Sequence, residues 1–186
     1  MCEHGRSASC GRVRRDGEQA IGQPLCLECF DYQDAVLFNA SAPALWAGFT
    51  RALAPALCRE LGIARKVRRS HLRLSFGKVI EYQARGLVHV HAVIRADGPG
   101  GAGDVPPPWA SADLLRTAVL AAAAMPSVTV ADPDDPASML ILSWGHQIDA
   151  GARESQAPSV RMAEDRAGGE PRDQASDTAH VSVTGT

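Results

Sequence analysis

Aromatic side chains are scarce in this sequence, at 5% of 186 residues. Proteins that grip single-stranded nucleic acid without sequence choice stack bases on aromatic platforms, and no such platform is evident here. An excess of positive charge is also missing: 19 Lys and Arg stand against 21 Asp and Glu, a formal net charge of -2. The total carries no nucleic-acid signal, although a local basic patch can sit inside a neutral whole. No apolar run is long enough to span a bilayer. The start, Met1-Cys2-Glu3-His4, lacks the apolar stretch of a secretion signal. These absences predict a cytoplasmic protein with no membrane partner. In that reducing compartment, clustered cysteines point to metal before disulfide. Residues 150–186 contain no Leu, Ile, Phe, Tyr, Trp or Cys. Such a stretch buries too little surface to offset its ordering entropy, which predicts a disordered C-terminal tail.

What is present is enough for one domain of ordinary size: 45% of residues are hydrophobic, and 17 Gly with 12 Pro imply many loops. Residues 1–33 are polar and loop-like and hold Cys2, Cys10, Cys26 and Cys29. From Asn39 to Gly62 the sequence predicts a helix, because Leu45, Phe49, Leu53, Leu57 and Leu61 recur every four residues. Asn39 or Ser41 can cap it, Pro43 fits a first turn, and Gly62 suits its end. Pro55 lies inside the pattern and should kink or split the helix. Next, His71 to Gln83 alternates as a strand, Ala84-Arg85-Gly86 reads as a tight turn, and Leu87 to Arg95 as the returning strand. A Gly/Pro-rich loop covers 97–108. Ser111 then caps a helix to about Met125, with Leu114, Leu115, Ala118, Val119 and Ala122 as its apolar face. Val128–Ala131 and Met139–Asp149 are further strands. No internal repeat is present.

The hairpin carries the most informative feature. Side chains alternate along a strand, so His89 and His91 project from one face while Val88, Val90 and Ala92 point to a core. Two imidazoles about 7 Å apart along that face suit a divalent cation. A third ligand depends on register. A three-residue turn with Gly86 in the left-handed region pairs Gln83 with Leu87, Tyr82 with Val88, and Glu81 with His89. Glu81 then joins the metal face and Tyr82 turns to the core side. A two-residue turn would put Tyr82 beside His89 instead. Two exposed or hydrogen-bonded histidines are the plainer alternative.

Cys26-Leu27-Glu28-Cys29 is a Cys-x2-Cys pair. Cys2 and Cys10, with His4 nearby, can complete a tetrahedral zinc site resembling a zinc ribbon. Free thiols are the alternative. Cys58, on the helix, reads as a small buried hydrophobe. Two basic clusters stand out: Arg65, Lys66, Arg68 and Arg69, and Arg12, Arg14 and Arg15. Either can contact DNA phosphates or form a solvated charged turn.

Several stretches, in order, carry a family resemblance. They are Leu72 through Gly98 with its His89-Val90-His91, Pro106-Pro107-Pro108-Trp109, Pro24 through Tyr32, Ala35 through Ala40, Leu45-Trp46, and Trp144-Gly145-His146-Gln147-Ile148-Asp149. Over residues 2–149 the chain resembles the replication initiators of actinobacterial plasmids and integrative elements. The resemblance implies rolling-circle replication by an HUH endonuclease. In such enzymes two histidines, here His89 and His91, hold Mg2+ or Mn2+ against the scissile phosphate of single-stranded origin DNA. A tyrosine then attacks and keeps the phosphodiester energy in a covalent link.

The chain also departs from that family. The family's nucleophilic tyrosine follows the HUH strand, whereas the only tyrosines here, Tyr32 and Tyr82, precede His91. A family strand with a Thr-Leu-Thr-like motif, which comes before the cysteine region, has no counterpart. The expectation is therefore an α+β fragment of three parts: a Cys-rich segment over 1–33, a partial HUH domain over 34–149 whose antiparallel sheet is packed by helices, and the disordered tail over 150–186. It should bind origin DNA but be deficient in nicking. The alternatives are a zinc-stabilised DNA-binding module or regulatory remnant, and a relic without function.

Overall fold

A computed structural model describes residues 1–7, 15, 17–145, 148–154 and 177–184. The chain is an α+β arrangement: α1 (Tyr32–Glu60), a 3-10 turn (Arg65–Ser70), β1 (Arg73–Tyr82), β2 (Val88–Asp97), α2 (Ala112–Ala123), β3 (Ser127–Ala131), β4 (Met139–Ser143), β5 (Ile148–Glu154) and β6 (Asp177–Thr184). Strands β1-β2-β6-β5, in that order, make an antiparallel sheet, and β3 and β4 form a separate hairpin.

Helix α1 begins earlier than its apolar repeat suggests. Asp31 is the cap, its side chain accepting from the Asp34 amide at 2.9 Å. Neither Asn39 nor Ser41 caps the start. The repeat marks only the stretch that meets the core: Leu45, Phe49, Leu53 and Leu57 are all buried, each stabilising the fold by about 1.5–3 kcal/mol. Pro43 is thus interior rather than in the first turn, and Pro55 does not split the helix, which runs unbroken to Glu60. Each proline removes one backbone bond, but the buried stripe continues in phase across Pro55 and holds both halves to the same core. The end is a Schellman motif: Ile63 N–H donates to Cys58 O and Gly62 N–H to Arg59 O, with Gly62 at φ +63°.

Helix α2 follows its expected cap, with the Leu114 amide donating to Ser111 Oγ at 3.2 Å. Leu115, Ala118, Val119 and Ala122 are buried against α1 and the sheet, while Leu114 is only partly covered. From β2, Leu87, Val88, Val90 and Ile94 close the same core. This is why one face of β2 is dry and the other is free to carry chemistry.

Two expectations are corrected in the second half of the chain. The single strand expected over Met139–Asp149 is two strands, interrupted where Trp144 turns inward and packs edge-on to Phe38, with ring centroids 6.1 Å apart. The tail expected to be disordered from residue 150 instead supplies the end of β5 and all of β6, whose backbone pairs with β2 and β5. The count of large apolar residues missed it. A strand inserted between two others draws on backbone bonds along both of its edges, which a count of large side chains does not register. The rest of that expectation falls on 155–176 and 185–186, outside the described residues.

Candidate functional site

The hairpin turn fixes the site. Gly86, at φ +81°, donates its N–H to Gln83 O, and Gln83 N–H donates to Leu87 O. That closes a three-residue loop. The ladder therefore pairs Glu81 with His89 and Tyr82 with Val88, in the register the turn chemistry predicts. Asn39 braces the neck from α1: its Nδ2 donates to Gly86 O at 2.7 Å and its Oδ1 accepts from the Val88 amide at 2.8 Å.

On the face away from the core, His89 and His91 converge, with ring centroids 4.4 Å apart in an edge-to-face arrangement. Glu81 Oε2 lies 3.4 Å from His91 Nε2. His89 Nδ1 is buried and has no hydrogen-bond partner among the described residues. Burial, followed by the positive charge of neighbouring His91, holds the His89 imidazole below its usual pKa; Arg85 adds to this and Glu81 opposes it. A neutral imidazole is the form that ligates metals. Tyr82 shares the Val88 face, as expected, but it is 71% exposed rather than packed in the core. The apolar cover ends short of this edge strand, where Ile80 is exposed too.

At the other end of β2 the same face is anchored by Asp97. Its carboxylate is buried, pairs with Arg95 Nη2 at 2.6 Å, and accepts from Ser75 Oγ and the Gly103 amide. Asp97 ends β2 and is not part of the loop expected over 97–108. Its position at the end of an apolar strand, before a Gly-rich stretch, was the signal available.

A second cluster forms at the N-terminus. The ligand atoms of Cys2, His4, Cys26 and Cys29 all lie within 4.8 Å of one another, so this cluster could hold a metal ion. His4 Nδ1 is 3.2 Å from Cys29 Sγ and 3.7 Å from Cys26 Sγ. Desolvation, then hydrogen bonds and charge from Cys2 and Cys26, push the Cys29 thiol up to about 12. Cys2 is held low despite desolvation, by backbone hydrogen bonds from Arg6 and His4. Cys10, one of the four expected ligands, lies outside the described residues, as do Arg12 and Arg14. Cys58 is buried on α1, as expected.

The basic run falls on the 3-10 turn after α1. Arg65, Lys66 and Arg69 are exposed; Arg68 is half-buried and donates to Leu72 O at 3.4 Å. Arg65 also lines a groove of about 660 Å³ with Arg51 and Arg59, two helix residues the sequence reading did not single out. No described helix is long and apolar enough to cross a membrane.

Comparisons agree with the family resemblance of the sequence, at the level of a replication initiator. The family model described as "Replication initiator protein, pSAM2" matches residues 1–176. A replication initiator protein of Streptomyces ambofaciens is 41% identical over 150 residues, which is 79% of this chain and 32% of the relative. The chain thus spans about a third of the length of that curated relative. No solved structure matches it. With a family model matching nearly its whole length, the chain belongs to the pSAM2 replication initiator family.

Proposed function

We propose that β1 and β2 form the divalent-cation site of a rolling-circle, HUH-type plasmid replication initiator acting on single-stranded origin DNA in the cytoplasm. The observation that carries this reading is the convergence of Glu81, His89 and His91 on one solvent-side face, with a buried His89 nitrogen that has no hydrogen-bond partner among the described residues. Two imidazoles and one carboxylate fit Mn2+, or Mg2+ with waters completing its shell. When bound, the cation supplies polarisation of a phosphoryl oxygen and charge stabilisation. The chain's own residues hold that position. Asn39 and the turn fix the register, Val88 and Val90 anchor the strand in the core, and Glu81 orients His91. Arg65, Lys66, Arg68 and Arg69 contribute phosphate contacts that give affinity without sequence choice.

Strand cleavage requires a nucleophile, and neither tyrosine is aimed at this site. Tyr82 is on the opposite face of the hairpin, and Tyr32 opens α1 in an edge contact with Phe30. The chain therefore binds metal and origin DNA without nicking. This also supports a second reading, a zinc-stabilised DNA-binding module built on the Cys/His cluster.

Mn2+ titration with overlapping single-stranded origin oligonucleotides tests both. The expected result is Mn2+ binding abolished in His89→Ala, with DNA retained but no covalent adduct. Mn2+ binding untouched by His89→Ala would leave only the second reading. An adduct that disappears in Tyr82→Phe would overturn the assignment of a non-nicking chain.

A further inference from the structure

Between Cys2 and Cys29 the described residues of the N-terminal segment bury little apolar surface. Ile21, Leu25 and Leu27 are 46%, 45% and 65% exposed, and its backbone bonds are isolated turns such as Cys2 N–H to Arg6 O and Ile21 N–H to Glu18 O. Yet it brings residues far apart in sequence to one point. His4 and Cys29 meet across 25 positions at 3.2 Å, and Cys2 and Cys26 complete the set. Three thiols and one imidazole at that spacing form a Cys3His donor set, which suits tetrahedral zinc in closed structural sites. Zinc binding would supply the folding free energy that apolar burial does not.

The same segment touches the hairpin. Gly22, at φ +74°, accepts the Arg85 amide at its carbonyl oxygen, 2.8 Å away. The approach is close: a Cβ on Gly22 would lie 3.1 Å from Ala84 N and 3.4 Å from Gln83 Cβ. Ala84, Arg85 and Gly86 are the turn that sets the register of β1 against β2. A loop pinned at Cys26 and Cys29 thus rests on that turn four residues upstream of the first cysteine.

We propose that Cys2, His4, Cys26 and Cys29 bind a structural zinc ion, and that the loop it pins clamps the hairpin tip through Gly22 and Arg85. His4 completes the four donors that the described residues bring together, and Cys10 lies outside those residues. The proposal rests on the second reading above, in which this cluster holds zinc, and is independent of whether the hairpin binds Mg2+ or Mn2+.

The test is elemental analysis of the purified full chain together with amide exchange resolved at Arg85. Zinc should be present at one ion per chain in the wild type and in Cys10→Ser. It should be lost in Cys26→Ser and Cys29→Ser, and weakened in His4→Ala. Cobalt substitution should give thiolate charge-transfer bands that shift in His4→Ala and not in Cys10→Ser. Stripping zinc from the wild type with a chelator, which needs no mutation, should speed Arg85 exchange about fivefold or more, the factor carried by one ordinary hydrogen bond. Val90 and Ala92 amides should stay protected, which separates loss of the clamp from unfolding. A wild-type chain without zinc, or zinc lost in Cys10→Ser but kept in His4→Ala, overturns the site. Unchanged Arg85 exchange after zinc removal overturns the clamp.

Discussion

Asn39 and Val88, separated by 49 positions in sequence, are joined by a hydrogen bond from the Val88 amide to Asn39 Oδ1 at 2.8 Å. The other end of the Asn39 side chain, Nδ2, donates to Gly86 O at 2.7 Å. One helix side chain thereby satisfies both backbone groups flanking the hairpin neck. Asn39→Ala leaves a part-buried N–H without this partner and should cost about 1–3 kcal/mol. Asn39→Asp keeps the acceptor for Val88 but sets a carboxylate against the Gly86 carbonyl, so it should retain only part of the stability. Urea denaturation checks this: the midpoint should fall in the order wild type, Asp, Ala, with an unchanged slope.

Asp97 is the most deeply buried charged group in the described chain, at 1% exposure. It holds Arg95, Ser75 and the Gly103 amide together. Removing it strands the part-buried Ser75 hydroxyl and Gly103 amide beside a half-exposed Arg95, at about 1–3 kcal/mol. Asp97→Ala should therefore be among the most destabilising single substitutions on the sheet. Asp97→Asn, which keeps acceptor capacity, should lose less. Thermal denaturation measures the first effect, and limited proteolysis within 98–105 should show the loop released in Ala before Asn.

The hairpin was legible in the sequence because two local rules agree there. Alternation puts His89 and His91 on one face, and a turn ending in glycine fixes which residue opposes His89. Glu81 follows from those rules without tertiary information. The start of α1 was not legible in the same way. Residues such as Val36 lie exposed in the helix, so periodicity fades before the helix ends, and only the Asp31 cap marks it. The meeting of His4 with Cys26 and Cys29 was not legible, because it depends on how segments more than twenty positions apart close on one another; Cys10 lies outside the described residues. Strand β6 was missed because its place comes from pairing with β2 and β5, a relation between distant segments that composition does not encode.

His89 gives the chain a pH dependence of definite sign. Its neutral form is favoured in the fold, so its native pKa lies below the ordinary value of 6.5. Above 6.5 the group is neutral in both the native and unfolded states and contributes no slope. As pH falls through 6.5, the unfolded chain takes up a proton that the native chain refuses, so stability declines. The decline levels off once the native pKa has been passed. A histidine-resolved NMR titration of the metal-free protein should show His89 titrating below 6.5. His89→Gln should flatten the stability profile over that window.

Glu81 is the residue on which the register argument and the metal argument meet. If it completes the donor set with His89 and His91, Glu81→Gln should weaken Mn2+ binding by at least about tenfold, since even partners one step removed from a metal carry that much. Glu81 is exposed on an edge strand, so the substitution should leave the denaturation midpoint almost unmoved. Tyr82→Phe, one residue along and on the opposite face, should change neither quantity. Calorimetric titration of Mn2+ into the three proteins separates the possibilities. Equal affinity in Glu81→Gln and wild type would remove the carboxylate from the site, and a loss in Tyr82→Phe would mean that the functional register is the two-residue-turn alternative.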